Sequence, residues 1–350
     1  MSEFAMEKIV HNAWYICAWS DELDDKPLAR IILCEDLVIY RERNGTVRVL
    51  EDRCCHRGVR LSLGSVEKDG IMCGYHGLVY DGSGRCVDNP GEKKTHSFRV
   101  RSYPTVERQK FIWVWTGDPE LADEDLIIDF PYHDDFSFHY TRYDISANFM
   151  FMIDNLMDLT HLGYVHSSTI GGDPTGNNEA ELTTTSTQNG AHFLRWMMDA
   201  SPPPSFAKAV DLKGLVDRWS DFEYIAPASV LQWGGVLPSG CGAKENRHQL
   251  GGLSLRLFHH ATPQTEDTFH YFFSATIEGL DKESNASKSF YKDILEAFLE
   301  DKLFLESQQE AVTKAPNRPL MLREHDQAVA YSRRAIHRLQ DAELKATAAE

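Results

Sequence analysis

Two short runs in this chain bring thiols and imidazoles together. Cys54-Cys55-His56 offers a Cys-x-His pair and Cys73-Gly74-Tyr75-His76 a Cys-x-x-His pair, with residues 57–72 between them. Two thiols and two imidazoles can hold a tetrahedral structural zinc. Zinc ribbons, however, usually draw both thiols from one knuckle, whereas here each loop supplies one thiol and one imidazole. A 2Fe-2S cluster with mixed ligation has that need, because two thiolates hold one iron and two imidazoles the other. Gly58, Gly64, Gly74 and Gly77 suit loops that bring backbone amides close to the cluster sulfurs. Cys55 sits between two of these ligands and is expected to turn away and pack. Cys17, Cys34, Cys86 and Cys241 are expected as small buried hydrophobes.

A second concentration of polar side chains lies in an apolar setting, from Asp154 through Asn155, Asp158 and His161 to His166. On a helix Asp154, Asp158 and His161 share a stripe. His166 is five residues beyond His161, roughly 140° around the helix at about 100° per residue, so both can reach one metal only if the helix is interrupted, and Gly163 is placed to allow it. A solvated polar face with a stray histidine is the plain alternative. A facial iron triad also needs a carboxylate. Phe290, Ile294, Phe298 and Leu305 form an apolar helical stripe on which Asp301 falls, while Asp293, Glu296 and Glu300 read as a solvated face. An unpaired buried carboxylate costs several kcal/mol, and a cation is one way to offset it; a buried salt bridge is another.

The elements that must position these groups divide the chain in two. The first 118 residues carry short strands (Arg30–Leu33, Leu37–Tyr40, Val47–Leu50, Phe111–Trp115) with turns at Asn44-Gly45 and Asp81-Gly82. Residues 119–135 are rich in acids and read as a solvated connector. Residues 136–350 mix a helix near 148–163, a Gly- and Asn-rich loop after Thr169, a turn at Asn189-Gly190, a Pro-rich loop at 201–205, strands around Tyr224 and Tyr271, and a helix from about Lys288 to Ala311. The expected fold class is α+β: an N-terminal all-β domain, then a mixed domain with an antiparallel sheet and flanking helices. The segment 345–350 is expected to fray.

Composition narrows the function. In 350 residues, 36 Lys and Arg face 53 Asp and Glu, a formal charge of −17, which argues against a nucleic-acid binder. The seven cysteines are an odd number and a poor disulfide framework. The N-terminus lacks a basic region followed by an apolar run, and no stretch approaches the roughly 18 apolar residues of a membrane span, so a cytoplasmic location is expected.

The residues resemble the Rieske non-heme iron oxygenases, in the branch of vanillate O-demethylase oxygenase subunits and dicamba monooxygenase. The similarity runs from Asn12-Ala13-Trp14-Tyr15 through Cys73-Gly74-Tyr75-His76-Gly77-Leu78-Val79 and Ile112-Trp113-Val114-Trp115-Thr116-Gly117-Asp118-Pro119. It is densest at Met152–His161, and returns at Val216-Asp217-Arg218-Trp219 and Glu300-Asp301-Lys302, with Glu306 and Gln308. The resemblance implies a Rieske 2Fe-2S cluster on Cys54, His56, Cys73 and His76, and catalytic Fe(II) on His161, His166 and Asp301 with Asn155 close by. It implies that Asp158 lies between His161 and the His76 of a neighbouring subunit in a ring-shaped homotrimer. It makes His259, ahead of Thr262-Pro263 and beside His260, the match to a substrate-binding histidine. The family usually has Pro where this chain has Cys55, and Gly171–Asn178 and Gln232–Gly235 also depart from it.

The implied activity is that of a terminal oxygenase, fed with NAD(P)H-derived electrons by a separate flavin and iron-sulfur reductase or a ferredoxin, since the chain carries no dinucleotide fingerprint of its own. O-demethylation of a vanillate-like methoxylated acid with release of formaldehyde is the leading expectation. The alternatives are hydroxylation of a dicamba- or toluenesulfonate-like aromatic, a Rieske electron carrier without catalysis, and a zinc hydrolase.

Overall fold

The computed structural model describes residues 8–68, 70–92, 97–210, 212–247 and 251–347. They fall into two compact units, one formed by Ile9–Asp129 with Thr262–Thr265, the other containing Phe130–Ala261 and the chain from Glu266 onward.

The first unit is all-β. Trp14–Trp19, Phe111–Trp115 and Thr105–Arg108 make a three-stranded sheet, and Leu28–Ile32, Glu35–Arg41, Val47–Glu51 and Ser102–Tyr103 a four-stranded one. A further four-stranded meander runs through Ser65–Glu67, Gly70–Met72, Val79–Tyr80 and Cys86–Asp88. The hairpin joining Leu28–Ile32 to Glu35–Arg41 turns on Leu33 and Cys34, both at positive φ. Their backbone N–H groups donate to Pro263 O and Gln264 O at 2.9 and 2.7 Å, which ties residues 262–265 to this unit. Val38, Tyr40, Leu50, Leu61, Ile71 and Tyr80 form a core that also contains Cys54, Cys73 and Cys86. Cys17 is buried as well, but Cys34 and Cys241 are exposed, contrary to expectation, because each lies on a turn outside the sheet cores.

The acidic stretch is more ordered than its composition suggests. Asp118 and Asp123 accept hydrogen bonds from the N–H groups of Glu120 and Asp125, capping short 3-10 turns at Pro119–Leu121 and Glu124–Leu126. Trp14 donates its indole N–H to Asp123 O at 2.8 Å, and Ile127 is buried.

The second unit is built on a seven-stranded antiparallel sheet. Its order is His139–Ile145, Phe269–Ile277, Leu253–Pro263, Ser229–Pro238, Val216–Ile225, Gly190–Ala200 and Glu181–Ser186. The six strands from Glu181–Ser186 to Phe269–Ile277 form a meander in sequence order, and His139–Ile145 adds to its end by pairing with Phe269–Ile277. Gly235 pairs with Trp219, and a Cβ there would lie 2.2 Å from the indole, so this glycine makes room for the tryptophan. The Gly- and Asn-rich loop contains a short helix, Pro174–Asn178, and another begins inside the Pro-rich loop at Pro204–Ala209.

The helices Phe149–Met157, Asn285–Lys314 and Gln327–Thr347 complete the unit. The last reaches Thr347, and the remainder of the expected frayed tail lies outside the described residues. Asp154, expected on the stripe of Asp158 and His161, instead receives the Arg333 guanidinium through Nε at 3.1 Å and Nη2 at 2.5 Å. Arg333 is buried, so Arg333→Ala strands a shielded carboxylate. The expected cost is about 3–5 kcal/mol, read as a lower denaturant midpoint at unchanged m value. Among the described residues no helix is long and apolar enough to cross a membrane.

Candidate metal centres

Each cluster loop is shaped by the same pair of backbone bonds. Cys54 N donates to Val59 O at 2.8 Å and Gly58 N to Cys54 O at 2.9 Å; Cys73 N donates to Leu78 O at 2.8 Å and Gly77 N to Cys73 O at 3.0 Å. Gly58 and Gly77 stand at φ +68 and +76, a region costly for other residues. The loops meet at Gly64 and Gly74, whose Cβ atoms would lie 1.8 Å from Met72 O and 2.9 Å from Leu63 O. Both thiols therefore point inward, Cys54 and Cys73 being buried side by side, while His56 and His76 are exposed with ring centroids 4.6 Å apart. Burial pushes the Cys73 thiol up, while backbone N–H groups of Tyr75 and His76 act against that rise. Two paired thiols beneath two paired imidazoles fit a cluster with one all-sulfur and one histidine-bound iron.

Cys55 does not pack away. Its exposed thiol lies 3.2 Å from Tyr80 Oη, which is also 3.1 Å from Cys54 Sγ. The tight turn at Gly58 leaves the middle residue of Cys-x-His at the surface.

In the second unit, donor atoms of His161, His166 and Asp301 all lie within 4.8 Å of one another. The helix is interrupted earlier than expected. It ends at Met157, Asp158 breaks to φ −131, a 3-10 turn spans Leu159–His161, and a short helix follows at Leu162–Val165. Gly163 is helical, and its role is space, because a Cβ there would lie 2.4 Å from Pro174 Cα. The break at Asp158 turns His161 and His166 toward one point.

Both imidazoles are oriented through the nitrogen that faces away from the triad. His161 Nδ1 donates to the backbone carbonyl of Asp158 at 2.8 Å. His166 Nδ1 lies 2.7 Å from Glu300 Oε2. Nε2 of each ring is left toward Asp301 Oδ1, at 3.6 Å from His161 and 3.1 Å from His166, and Asn155 Nδ2 donates to that same oxygen at 3.0 Å. Burial pulls the His161 pKa down. Burial acts the same way on His166, but hydrogen bonds and charge from Asp301 and Glu300 outweigh it and hold that pKa up. Two imidazole nitrogens and a carboxylate converging from three sides suit an octahedral iron with positions left open.

Glu300 is the residue that sequence reasoning missed, because it was assigned to the solvated face. Periodicity places it one residue off the buried stripe, and a long side chain spans that gap. Asp293 is also not solvated; it is buried and receives Lys208 at 3.4 Å. Glu300→Gln should weaken iron binding by about 10- to 100-fold, measured by chelator competition, with the cluster's visible spectrum unchanged.

Asp158 is half-buried, and its carboxylate accepts from Thr160 N at 2.9 Å and Thr160 Oγ1 at 3.0 Å. Its backbone carbonyl accepts from His161, and its negative charge acts on that ring from nearby. A cavity opens on the triad, with about 580 Å³ of empty space, partly open to solvent, walled chiefly by leucines and phenylalanines. Gln232 lines it, whereas His259 does not. Both His259 nitrogens are engaged, Nδ1 with Tyr271 Oη at 2.7 Å and Nε2 with Gln232 Oε1 at 3.0 Å. Full burial pushes its pKa down to about 3, so a neutral ring relays between the two, behind the cavity wall. His260 is equally buried and paired with Ser229 Oγ at 2.7 Å.

Residues 13–104 match the Rieske [2Fe-2S] domain, and residues 145–342 match the vanillate O-demethylase oxygenase C-terminal domain. A putative toluene-4-sulfonate monooxygenase system iron-sulfur subunit from Comamonas testosteroni is 35% identical, covering 97% of this chain and 99% of that one. A vanillate O-demethylase oxygenase subunit from a Pseudomonas species is also 35% identical, covering 96% of each. The crystal structure of dicamba monooxygenase bound to dicamba superposes with a TM-score of 0.88 at 32% identity, over 97% of this chain and 100% of that one. An electron-transfer cluster fold and a non-heme iron fold thus occur in one polypeptide, as in relatives named as components of multicomponent systems. The chain belongs to the Rieske non-heme iron oxygenases of the vanillate O-demethylase type, and is a terminal oxygenase of that family.

Proposed function

We propose that this oxygenase O-demethylates a methoxylated aromatic acid of the vanillate kind. The observation that carries the reading is the largely apolar cavity walled in part by His161, His166 and Asp301. Cys54 and Cys73 would hold one cluster iron and His56 and His76 the other, with His161, His166 and Asp301 holding Fe(II). Iron bound there supplies the activation of dioxygen. The side chains do the rest: Asn155 and Glu300 fix the ligands, and leucine and phenylalanine side chains exclude water and hold the methoxy carbon near the triad.

The balance is one methoxyarene, one dioxygen, two electrons and two protons. Hydroxylation of the methyl carbon gives a hemiacetal, which falls apart to the phenol and formaldehyde, and the second oxygen atom leaves as water. The electrons would come from NAD(P)H through a separate flavin and iron-sulfur reductase or a ferredoxin. In the homotrimer expected from the resemblance, the Asp158 carboxylate would pass them from His76 of one subunit to His161 of the next. A cytoplasmic setting suits that supply.

Hydroxylation of a sulfonated methylarene is the second reading, favoured by the equal 35% identity to the toluenesulfonate relative. Incubation with a reductase, methoxybenzoates and toluene-4-sulfonate decides between them. Formaldehyde equal to dioxygen consumed, from a methoxybenzoate, is expected; turnover of toluene-4-sulfonate alone would support the second reading.

A further inference from the structure

The cavity at the triad contains a charge that the ligand set does not use. Arg218 lines it from the inner strand Val216–Ile225 and is only 6% exposed. Its Nη1 donates to Gly171 O at 2.9 Å and its Nη2 to Ile170 O at 3.0 Å, and Phe206 lies under the guanidinium at 5.3 Å. Both oxygens are neutral carbonyls. Among the described residues no carboxylate lies within ion-pair distance of Arg218, and the nearby charge is that of another buried arginine, Arg195. Burial and that neighbour pull the Arg218 pKa down to about 9, which still leaves it a cation at neutral pH. A buried cation without a counter-charge is costly, and its environment favours any anion that enters.

Among the described residues, the polar side chains lining the cavity apart from the triad are Asn155, Arg218, Ser220 and Gln232, of which only Arg218 is charged. Ser220 is two residues along the same strand and so on the same sheet face. Gln232 sits on the adjacent strand, in register with Phe222.

We infer that Arg218 is the anion anchor of the substrate cavity: the carboxylate or sulfonate of an aromatic acid takes its guanidinium, with the Ser220 hydroxyl as a second donor, and this fixes which part of the ring faces the triad. The inference rests on the cavity being the substrate site, as proposed above, and deepens that reading by naming the group that is recognised.

Equilibrium titration of the iron-replete holoenzyme with 4-methoxybenzoate, 4-methoxybenzenesulfonate and neutral 4-methoxybenzamide tests it without needing turnover. In the wild type the better-bound anion should exceed the amide by about 10- to 100-fold, the range expected for hydrogen bonds to a charged group; which anion it is identifies carboxylate or sulfonate. Arg218→Gln should erase that preference by weakening the anion and leaving the amide unchanged, and Arg218→Lys should keep most of it. A wild type that binds the amide as tightly as either anion overturns the inference. So does a Gln variant that loses amide and anion alike, since Arg218 would then serve only to hold the Ile170-Gly171 carbonyls. Arg218-dependent anion binding without formaldehyde release sinks the demethylation reading and leaves this inference standing.

Discussion

Asp301→Ala is expected to lower iron from about three atoms per chain to about two, with the cluster's visible spectrum intact and product formation at the level of the uncatalysed control. The carboxylate is the only anion in the triad, and His161, His166 and Asn155 all converge on it. Without it, two neutral imidazoles remain, too few to retain Fe(II) against water. Asp301→Asn keeps the volume and removes only the charge, so it separates ligand loss from a packing defect and should behave alike. Metal analysis with formaldehyde assay is the check. Iron content equal to wild type in both variants would remove Asp301 from the ligand set.

Asp158→Asn is expected to keep both metal centres and slow electron delivery by about 10- to 100-fold. The Asp158 backbone, which breaks the helix and accepts from His161 Nδ1, is untouched by the change, and an amide oxygen can still accept from Thr160. What disappears is the negative charge beside the histidine, and with it the acceptor offered to a second imidazole. Stopped-flow single turnover of the pre-reduced enzyme reports the step directly. Rates equal to wild type would show that Asp158 serves only to cap the turn at Thr160.

The parts of this architecture that depend on residue type and short spacing were legible before any coordinates. The two Cys and His pairs carry their own geometry, and the apolar stripe through Phe290, Ile294 and Phe298 marked Asp301 as an acid turned inward. The parts that depend on side-chain reach or on strand partners were not. Glu300 lies one residue off the stripe, and only its length brings it to His166. The break that turns the two histidines together was assigned to Gly163, the most flexible residue, when the chain actually turns at Asp158, whose side chain caps the next turn. His259 matched by motif, yet its nitrogens are consumed by Tyr271 and Gln232, partners that come from other strands. Arg218 stood in a matching motif without a role, because its missing counter-charge is visible only once its neighbours are placed.

Dithionite-reduced holoenzyme, freed of excess reductant and mixed with dioxygen and methoxybenzoate in the absence of any reductase, most directly tests whether the two centres share electrons. The expected result is a low-temperature paramagnetic signal from the reduced cluster that decays as formaldehyde appears, and that persists far longer in protein stripped of its mononuclear iron. A protein with no such signal, or one whose signal decays equally fast with and without that iron, would contradict the coupling of cluster and triad.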